Sequence, residues 1–248
     1  MISAGLDVGS RTIALVTING NGIDSCVLDT GVNPLKRSQE LLADKNYDNL
    51  TVTGYGRYLV ANELKAGAVS EIKAHAVGAR YLYPNVQTVI DVGGQDSKAI
   101  SLSGDGAINK FEMNDRCAAG TGKFLEVMAH TMEIHISQIG DLALSASKEV
   151  KINSMCTVFA ESEVVSLIAR GEEASAIAFA SHEAIATRIY SMIRRIGIKE
   201  KVVFSGGAAL NNCLKHLLEQ KTGIELTVPI NPQTVGALGA ALLAKNNN

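Results

Sequence analysis

The sequence lacks the features of a membrane, secreted or nucleic-acid-binding protein. It has no tryptophan and 4% aromatic residues, and its 23 Lys and Arg residues nearly balance 25 Asp and Glu, giving a formal net charge of −2. Such a balance provides no basic surface for nucleic acids or anionic membranes. Apolar runs stay well short of the roughly 18 residues that span a bilayer, and the N-terminus enters a strand without the basic and apolar segments of a secretory signal. We therefore expect a cytoplasmic protein that contacts neither membrane nor nucleic acid.

Cysteine is also scarce, and its spacing excludes the common zinc motifs. The chain has four cysteines, with no CxxC pair and no histidine at zinc spacing. In a reducing compartment these are free thiols or ligands rather than disulfides. Cys117 and Cys156 each lie immediately before, or in, the first turn of a predicted helix, where the helix dipole favours a thiolate. Cys26, in a hairpin region, and Cys213, inside a helix, are expected to be small buried apolar residues, which is also the alternative for the first two.

What the sequence does contain is an internal repeat. GLDVGSRTIAL at residues 5–15 and VIDVGGQDSKA at residues 89–99 each read as an apolar strand, an Asp-Val-Gly turn and a second strand, 84 residues apart. Glycine at such a tip lets backbone N–H groups approach an anion, and the Asp7 or Asp91 carboxylate can hold a hydrated Mg²⁺. Two matched copies predict two half-domains that grip one polyphosphate from opposite sides, and hence ATP binding.

A third glycine loop follows a short buried strand. Gly206-Gly207 lies between a strand at residues 201–205 and a helix predicted near residues 208–220. Paired glycines let a base or ribose pack against the backbone, and the helix N-terminus favours negative charge. Gly206, Gly207 and Asn211 are therefore candidate nucleotide contacts, with an ordinary tight turn as the alternative.

Gly122 and Lys123 belong to a segment that resembles the end of a P-loop. It is not a Walker A motif, because Cys117 stands in place of the required glycine and Phe124 in place of the Mg²⁺-binding hydroxyl residue. The segment 120–123 lies just past Cys117, and we expect its amides to approach the nucleotide. Gly122 and Lys123 would then link the nucleotide to the thiol.

Periodicity predicts an α/β chain with no flexible linker between its halves. The two hairpins span residues 2–18 and 86–102, and the boundary near residue 85 is expected to be a hinge. Helical patterns fall at residues 58–80, 121–133, 137–147, 157–170, 173–196 and 233–244, and further strands at residues 49–53 and 224–228.

The order of these motifs resembles that of the phosphate-1, phosphate-2 and adenosine motifs of actin, Hsp70-type chaperones and sugar kinases. The resemblance implies an α/β fold in which two ribonuclease-H-like halves close over ATP. Residues 1–85 plus 232–248 would form one half, with the last helix returning to it, and residues 86–231 the other. Asp7 and Asp91 would lie near Mg²⁺ and hold it through water, because the ion keeps most of its hydration shell. Phosphate contacts would come from Gly9, Ser10, Arg11 and Thr12 on one side and from Gly93, Gly94 and Gln95 on the other.

Two thiols cannot complete a four-thiolate metal site. A twofold dimer would solve this, with Cys117 and Cys156 of each copy meeting on the symmetry axis. Four helix N-termini would then face a cluster of net negative charge. The spacing alone does not establish this arrangement.

Three motifs make the resemblance more specific. DVGGQDSK at residues 91–98, NDRCAAGTG at residues 114–122 and SMCTVFAESE at residues 154–163 resemble the activator family of 2-hydroxyacyl-CoA dehydratases. That family includes the ATPase subunits of benzoyl-CoA reductases and the reductases of double-cubane-cluster proteins, and the similarity runs from about residue 2 to residue 244. It implies a homodimer with one 4Fe-4S cluster held by Cys117 and Cys156 of both subunits. ATP hydrolysis would drive a low-potential electron from a donor such as ferredoxin or flavodoxin to a partner iron–sulfur dehydratase or reductase.

Catalytic candidates follow by analogy with other nucleotidases. Beside Asp7 and Asp91, either Gln95 or Asp96 could orient the attacking water, as glutamine does in other NTPases; ordinary loop hydrogen bonding is the alternative. Two other functions share the phosphate hairpins. A small-molecule kinase would leave Cys117 and Cys156 unexplained, and an ATP-dependent scaffold or chaperone should carry a further domain or a polymerising surface.

Overall fold

Two five-stranded sheets with the same strand order form the framework of the protein. The computed structural model describes residues 1–154 and 156–245. The strands of the first sheet are β1 Ser3–Val8, β2 Thr12–Asn19, β3 Gly22–Asp29, β4 Asn49–Thr53 and β5 Gly67–Ala68. Those of the second are β6 Thr88–Val92, β7 Ser97–Leu102, β8 Ile108–Asn114, β9 Val202–Ser205 and β10 Leu226–Thr227. The spatial orders are β3-β2-β1-β4-β5 and β8-β7-β6-β9-β10, so one topology occurs twice.

The duplication extends to the backbone of the hairpin tips. In each sheet the first three strands are antiparallel neighbours and the last two run parallel to the first. The amide of Gly9 donates to the carbonyl of Thr12 at 3.0 Å, and the amide of Gly93 donates to the carbonyl of Asp96 at 2.9 Å. These residues stand at matching places in the 84-residue repeat. The α/β fold of two ribonuclease-H-like halves that the sequence predicts is confirmed.

Helices cover both faces of each sheet. Their bounds are α1 Pro34–Leu42, α2 Arg57–Leu64, α3 Glu71–Leu82, α4 Gly122–Thr131, α5 Ile139–Leu144, α6 Thr157–Ala169, α7 Ala174–Ile196, α8 Asn212–Thr222 and α9 Val235–Lys245. The first sheet lies between α1 and α2 on one face and α9 on the other. The second lies between α3 and the larger group α4 to α8. No helix within the described residues is long and apolar enough to cross a membrane.

Several predicted elements need correction. The single helix predicted at 58–80 is two helices, α2 and α3, because Lys65 adopts a left-handed conformation and ends α2. The helix predicted near 208–220 starts only at Asn212, after a 3₁₀ turn over Gly207–Leu210. The strand predicted at 224–228 shrinks to β10. Residues 246–248 of the predicted first half, and Met155 within a quoted motif, lie outside the described residues.

Local chemistry explains where the two helices nearest the site begin. The side chain of Ser70 accepts a hydrogen bond from the Lys73 amide and caps α3, and Glu71 follows in the first turn, where the helix dipole favours an acid. The side chain of Asn211 accepts from the Leu214 amide and caps α8. Gly223, at a φ of 70°, ends α8 in the left-handed conformation that glycine adopts without strain. These caps fix the positions of Glu71 and Asn211.

The two helices between the sheets, α3 and α9, pack in unusually close contact. A Cβ atom added to Gly239 would lie 1.8 Å from the carbonyl oxygen of Ala74, and one added to Gly78 would lie 2.1 Å from that of Val235. Backbone occupies both places, so neither neighbour can move aside as a flexible side chain could. Glycine at these helical positions is therefore required by packing and not by backbone conformation.

We expect Gly239→Ala to destabilise the protein strongly. Alanine favours helix by about 1 kcal/mol over glycine, yet the clash with Ala74 should outweigh this and lower the free energy of unfolding by about 3 kcal/mol or more. For a chain of this size the melting temperature should fall by roughly 6–12 °C. Gly104→Ala is the control, because a Cβ there meets no atom of the described residues within 4 Å. Equal thermal unfolding of the two variants would contradict the packing argument.

Candidate functional site

A cleft of about 810 Å³ opens between the tips of the two matched hairpins. This volume lies in the range of small-molecule sites. Its walls contain most of the residues that the sequence singled out as nucleotide contacts or catalytic groups. They are Asp7, Gly9, Ser10, Arg11, Thr12, Asp91, Gly93, Gly94, Gln95, Asp96, Gly122, Gly206, Gly207 and Asn211. Lys123 lines a smaller cavity of about 170 Å³ beside the same hairpin tips.

The hairpin tips approach each other closely at the mouth of the cleft. A Cβ atom on Gly94 would lie 2.7 Å from the Cβ of Arg11. Arg11 Nε donates to Glu126 Oε1 at 3.0 Å, and Lys123 Nζ lies 3.5 Å from the other oxygen of Glu126. Such partly exposed ion pairs are worth at most about 1 kcal/mol. A bound phosphate can therefore compete with Glu126 for both cations.

Each hairpin aspartate is flanked by a glycine from the neighbouring parallel strand. Gly54 follows β4 at a φ of +91°, and a Cβ there would meet Asp7 Oδ1 at 2.5 Å. Gly206 follows β9 at a φ of +87°, and a Cβ there would meet Asp91 Oδ1 at 2.9 Å. Both glycines combine a left-handed conformation with close approach to a carboxylate, which no other residue tolerates. The two halves thus build their acidic centres in the same way.

A buried lysine organises the floor of the cleft. Lys98, on β7, is 2% exposed, and its Nζ lies 2.7 Å from Asp96 Oδ2, 2.8 Å from Glu71 Oε2 and 3.2 Å from Asp91 Oδ2. Sequence reasoning assigned no role to Lys98 or Glu71. The signal in the sequence was weak: Lys98 follows Asp96 by two residues in the segment 91–98, and Glu71 lies within the helix predicted at residues 58–80. Arg57, also missed, reaches Glu71 at 3.5 Å and extends this network to α2.

His75, on α3, stands between the two aspartates. Its Nδ1 lies 3.4 Å from Asp91 Oδ1, and its Nε2 lies 3.9 Å from Asp7 Oδ2. The side chain is 5% exposed, and Nδ1 has no hydrogen-bond partner in the part of the chain that the structure describes. Its four-residue spacing from Glu71 places both on one helix face, a pattern that is visible in the sequence.

The carboxyl groups of the floor differ in their affinity for protons. Burial raises the pKa of Asp7 to about 7, although His75 opposes the rise. Burial likewise raises the pKa of Asp96 to about 6, against the attraction of Lys98. For Asp91 burial is outweighed by His75, Lys98 and the Ser205 hydroxyl, so its pKa lies below the usual range. The pKa of Glu71 also lies below its usual range, because burial is outweighed by Lys98 and His75. Asp91 and Glu71 are therefore the carboxyl groups of the floor that ionise more readily than Asp7 and Asp96.

Another part of the cleft wall is apolar. Leu210 and Ile136 are 61% and 38% exposed and line the cleft with the buried Leu125. Asn211 and Gly140 stand beside them. Apolar walls with a few fixed polar groups are typical of nucleoside sites.

The loops around the two cysteines are held by neighbouring polar side chains. Asn114 Nδ2 donates to the carbonyls of Cys117 and Ala119, each at 2.9 Å. Glu163 accepts from the amide of Asn153 at 2.7 Å and from the amide of Ser154 at 2.9 Å, and also from the Ser154 hydroxyl. The loop that contains Cys117 and the loop that precedes Cys156 are therefore both held by side-chain hydrogen bonds.

The two cysteines differ in their relation to a helix. Cys156 is exposed and is the N-cap residue of α6, as predicted. The prediction for Cys117 is wrong: α4 starts at Gly122 with Thr121 as N-cap, because a turn at 118–121 intervenes, and Cys117 is half-buried in the preceding loop. Cys213 is buried in the core, where burial raises the pKa of its thiol to about 12. Cys26 is half-buried on β3 and packs against the first core, which we define as the apolar cluster between the first sheet and helices α1 and α2.

The start of α4 is bonded directly to the second hairpin tip. The amide of Gly122 donates to the carbonyl of Gly93 at 2.9 Å, and the amide of Lys123 donates to that of Gly94 at 2.7 Å. Both amides therefore donate to the hairpin, whereas Gly122 itself lines the cleft and Lys123 lines the smaller cavity; that they approach the nucleotide stays a prediction. The connection between Cys117 and the cleft runs through these two bonds.

Among residues 1–154 and 156–245, no three His, Cys, Asp or Glu side chains form a group suited to hold a metal ion. Cys117 and Cys156 belong to no such group within one chain. Thr157, next to Cys156, has a buried hydroxyl oxygen without a hydrogen-bond partner in the same described part. Because sulfur is a weak hydrogen-bond acceptor, this hydroxyl can donate a hydrogen bond to a sulfur-containing group at Cys156.

Comparison with known proteins gives consistent results. The chain is 39% identical over 255 residues to the 2-hydroxyisocaproyl-CoA dehydratase activator of Clostridioides difficile, covering 98% of this chain and 95% of that protein. Component A of the (R)-2-hydroxyglutaryl-CoA dehydratase of Acidaminococcus fermentans has a similar structure, with a TM-score of 0.92 at 37% identity over 99% of this chain and 98% of that one. The Clostridium difficile activator with bound ADPNP gives a TM-score of 0.91 at 38% identity over 99% and 95% of the two chains.

These similarities extend over nearly the whole chain and include both sheets and the cleft between them. Residues 25–244 match the BadF/BadG/BcrA/BcrD ATPase family. The matched range includes β6 to β10, the lysine of the cleft floor and both cysteine loops. The chain belongs to the BadF/BadG/BcrA/BcrD ATPase family.

Proposed function

We propose that this protein is an ATP-dependent electron donor that reduces a partner iron–sulfur enzyme. The observation that carries the proposal is the pair of hydrogen bonds from Gly122 and Lys123 to the tip of the second hairpin. They join the nucleotide cleft to the helix that follows Cys117. Lowering the potential of an electron by several hundred millivolts costs on the order of 5–10 kcal/mol, and ATP hydrolysis is a suitable source.

The matched hairpins would bind the nucleotide and carry the groups that hydrolyse it. Asp7 and Asp91 would bind Mg²⁺ through water, and the two hairpin tips would hold the phosphates between them. Of the two candidates for orienting the attacking water, Asp96 is fixed by Lys98, whereas Gln95 is exposed at the tip. A carboxyl group with a pKa of about 6 is suited to accept a proton near neutral pH. Lys98, Glu71 and His75 would position the three aspartates.

Cys117 and Cys156 would hold a 4Fe-4S cluster together with the same residues of a second copy. When bound, this cluster supplies one-electron transfer at low potential. Cys156 lies at the N-terminus of α6, where the helix dipole favours a bound group of net negative charge, and the Thr157 hydroxyl is available as a donor. Beyond Cys156, α6 exposes Val158, Phe159, Val165 and Ile168. An apolar surface that begins at a ligand is suited to a second copy of the chain that supplies the missing ligands.

Binding and hydrolysis of ATP would change the angle between the halves 1–85 plus 232–248 and 86–231, with a hinge near residue 85. Movement of the second hairpin would pass through Gly93 and Gly94 to α4 and the loop of Cys117. The electron would come from ferredoxin or flavodoxin and go to an iron–sulfur component, by analogy with activators of 2-hydroxyacyl-CoA dehydratases and with a component of the benzoyl-CoA reductase of Thauera aromatica. The protein, its electron donor and its partner would work in the cytoplasm, in anaerobic metabolism, and the protein would be sensitive to oxygen.

Protein purified strictly without oxygen tests this proposal. We expect about four irons and four sulfides per homodimer, a brown colour, and ATPase activity. The electron paramagnetic resonance spectrum of the reduced protein should differ between MgATP and MgADP, because the nucleotide acts on the Cys117 loop. Molar mass from light scattering should be that of a dimer.

A colourless, iron-free protein after anaerobic reconstitution would contradict the proposal. Phosphorylation of a small molecule by that protein would then favour a kinase of the same superfamily. If the iron content is as expected but the spectra in MgATP and MgADP are identical, the proposed cluster is supported and the proposed link through α4 is refuted.

A further inference from the structure

Asn211, in the apolar part of the cleft wall, is contacted by three helices of the second half. Its Oδ1 accepts from the Leu214 amide at 2.9 Å, and its Nδ2 lies 2.9 Å from Nε2 of His182. The third contact is with α5, where a Cβ on Gly140 would lie 2.8 Å from Asn211 Oδ1. Helices α5, α7 and α8 therefore meet around one amide group.

The hydrogen bonds of His182 define the orientation of that amide. His182 Nδ1 lies 2.7 Å from the carbonyl oxygen of Ala178. A carbonyl only accepts, so Nδ1 carries the proton and donates. In the neutral ring Nε2 is then an acceptor, and the Asn211 atom facing it must be the amide nitrogen. The Leu214 amide requires the same orientation independently, because it needs an oxygen to accept its proton.

His182 is neutral and has no access to solvent. It is 0% exposed, and burial lowers the pKa of its imidazole, although the hydrogen bonds to Ala178 and Asn211 oppose the fall. A neutral ring satisfies both neighbours, whereas a protonated ring would place two donors against each other at Nε2 and Asn211 Nδ2. Among the described residues that line the cleft, His182 is absent, and its ring contacts the cleft residue Asn211.

We propose that His182 is a positioning residue for nucleoside recognition, which it serves by fixing the Asn211 amide in one orientation at the cleft wall. The inference rests on the proposed nucleotide role of Asn211. One Nδ2 hydrogen and one Oδ1 lone pair of Asn211 are left after its bonds to His182 and Leu214. With the orientation fixed, these two groups present a constant donor and acceptor pattern to the adenosine part of ATP or ADP. The phosphate loops are separate and take no part in this.

The test compares His182→Leu, His182→Gln and wild type. In His182→Leu the Asn211 amide nitrogen loses its acceptor, so we expect the dissociation constant of ADP and the KM of ATP to rise about tenfold, with a much smaller fall in kcat. Inhibition by tripolyphosphate, which has no nucleoside, should stay unchanged. The glutamine Oε1 can accept the same hydrogen bond, so His182→Gln should recover most of the affinity.

Controls separate this role from general damage to α7. Ser181 is the adjacent residue and is also 0% exposed, and its hydroxyl donates to the Ile177 carbonyl at 2.9 Å. We expect Ser181→Ala to lower the melting temperature by as much as His182→Leu does, but to leave ADP binding at the wild-type value. Gly140→Ala should instead repeat the His182→Leu defect, because its methyl group displaces the Asn211 amide.

Two outcomes would overturn the inference. One is unchanged ADP affinity in His182→Leu. The other is an equal loss of ADP and tripolyphosphate affinity, which would indicate disruption of the whole cleft. Failure of the wild type to bind ADP would refute the proposed role of the cleft itself, and is thereby distinguished from failure of the inference. Should His182→Leu not fold, the Gly140→Ala and His182→Gln comparison answers the same question.

Discussion

Cys156→Ala and Cys117→Ala should each remove all iron from protein purified without oxygen, from about four irons per dimer to none. Loss of one thiol removes two ligands from a site shared by two copies, and a cluster with two thiolates is not retained. The brown colour and the signal of the reduced protein should disappear with the iron. ATP should still bind, because neither cysteine lines the cleft.

Cys26→Ala is the matched control. This thiol is free and half-buried like Cys117, but it lies on β3 of the other sheet and packs against the first core. Iron content and molar mass should stay at wild-type values in this variant. Retention of the full iron content in either Cys117→Ala or Cys156→Ala would contradict the shared site.

The mass of the iron-free variants tests what holds the two copies together. If the exposed apolar face of α6 pairs the two copies by itself, both variants remain dimeric. If the cluster provides much of the attraction, they dissociate at low concentration. In the first case, replacing Phe159, which is 65% exposed on that face, by serine should weaken the dimer of the iron-loaded protein, although all its thiols remain.

The sequence predicted the parts of the site that repeat. Both hairpins carry Asp-Val-Gly at positions 84 residues apart, and their tips form the same backbone hydrogen bond. Glycine and aspartate have few roles at such a turn, so residue type and spacing were sufficient. Strands β3 and β8 were not predicted, because they lie at sheet edges with exposed residues on both faces and show weak alternation.

The helix that completes the site could not be placed from the sequence. Glu71 and His75 look like part of a solvated face until α3 is packed between the two sheets, where His75 becomes buried. His182 is similar, since a histidine on an apolar helix gives no sign that it reaches Asn211, 29 residues further along the chain. Such contacts depend on tertiary packing, which residue spacing along the chain does not contain.

Lys98→Met should have the second large effect, on both stability and ATP hydrolysis. The substitution leaves Asp91, Asp96 and Glu71 without their shared cation in a buried site. Breaking a buried ion pair by removing one partner costs about 3–5 kcal/mol, and we expect the free energy of unfolding to fall by that amount. Urea unfolding at neutral pH measures it, with Lys110→Met on the exposed β8 as a control.

Hydrolysis should fall by about 100-fold in Lys98→Met, equivalent to roughly 2.7 kcal/mol in the barrier, because Asp96 and Asp91 lose the group that orients them. The double variant Lys98→Met/Glu71→Gln separates charge from packing, since it removes one of the three carboxylates together with the lysine. Stability should recover in part, by a coupling of about 1–3 kcal/mol. Activity should stay low, because Asp96 still lacks its partner. Full activity in Lys98→Met would show that the lysine only stabilises the fold and does not position the catalytic carboxyl groups.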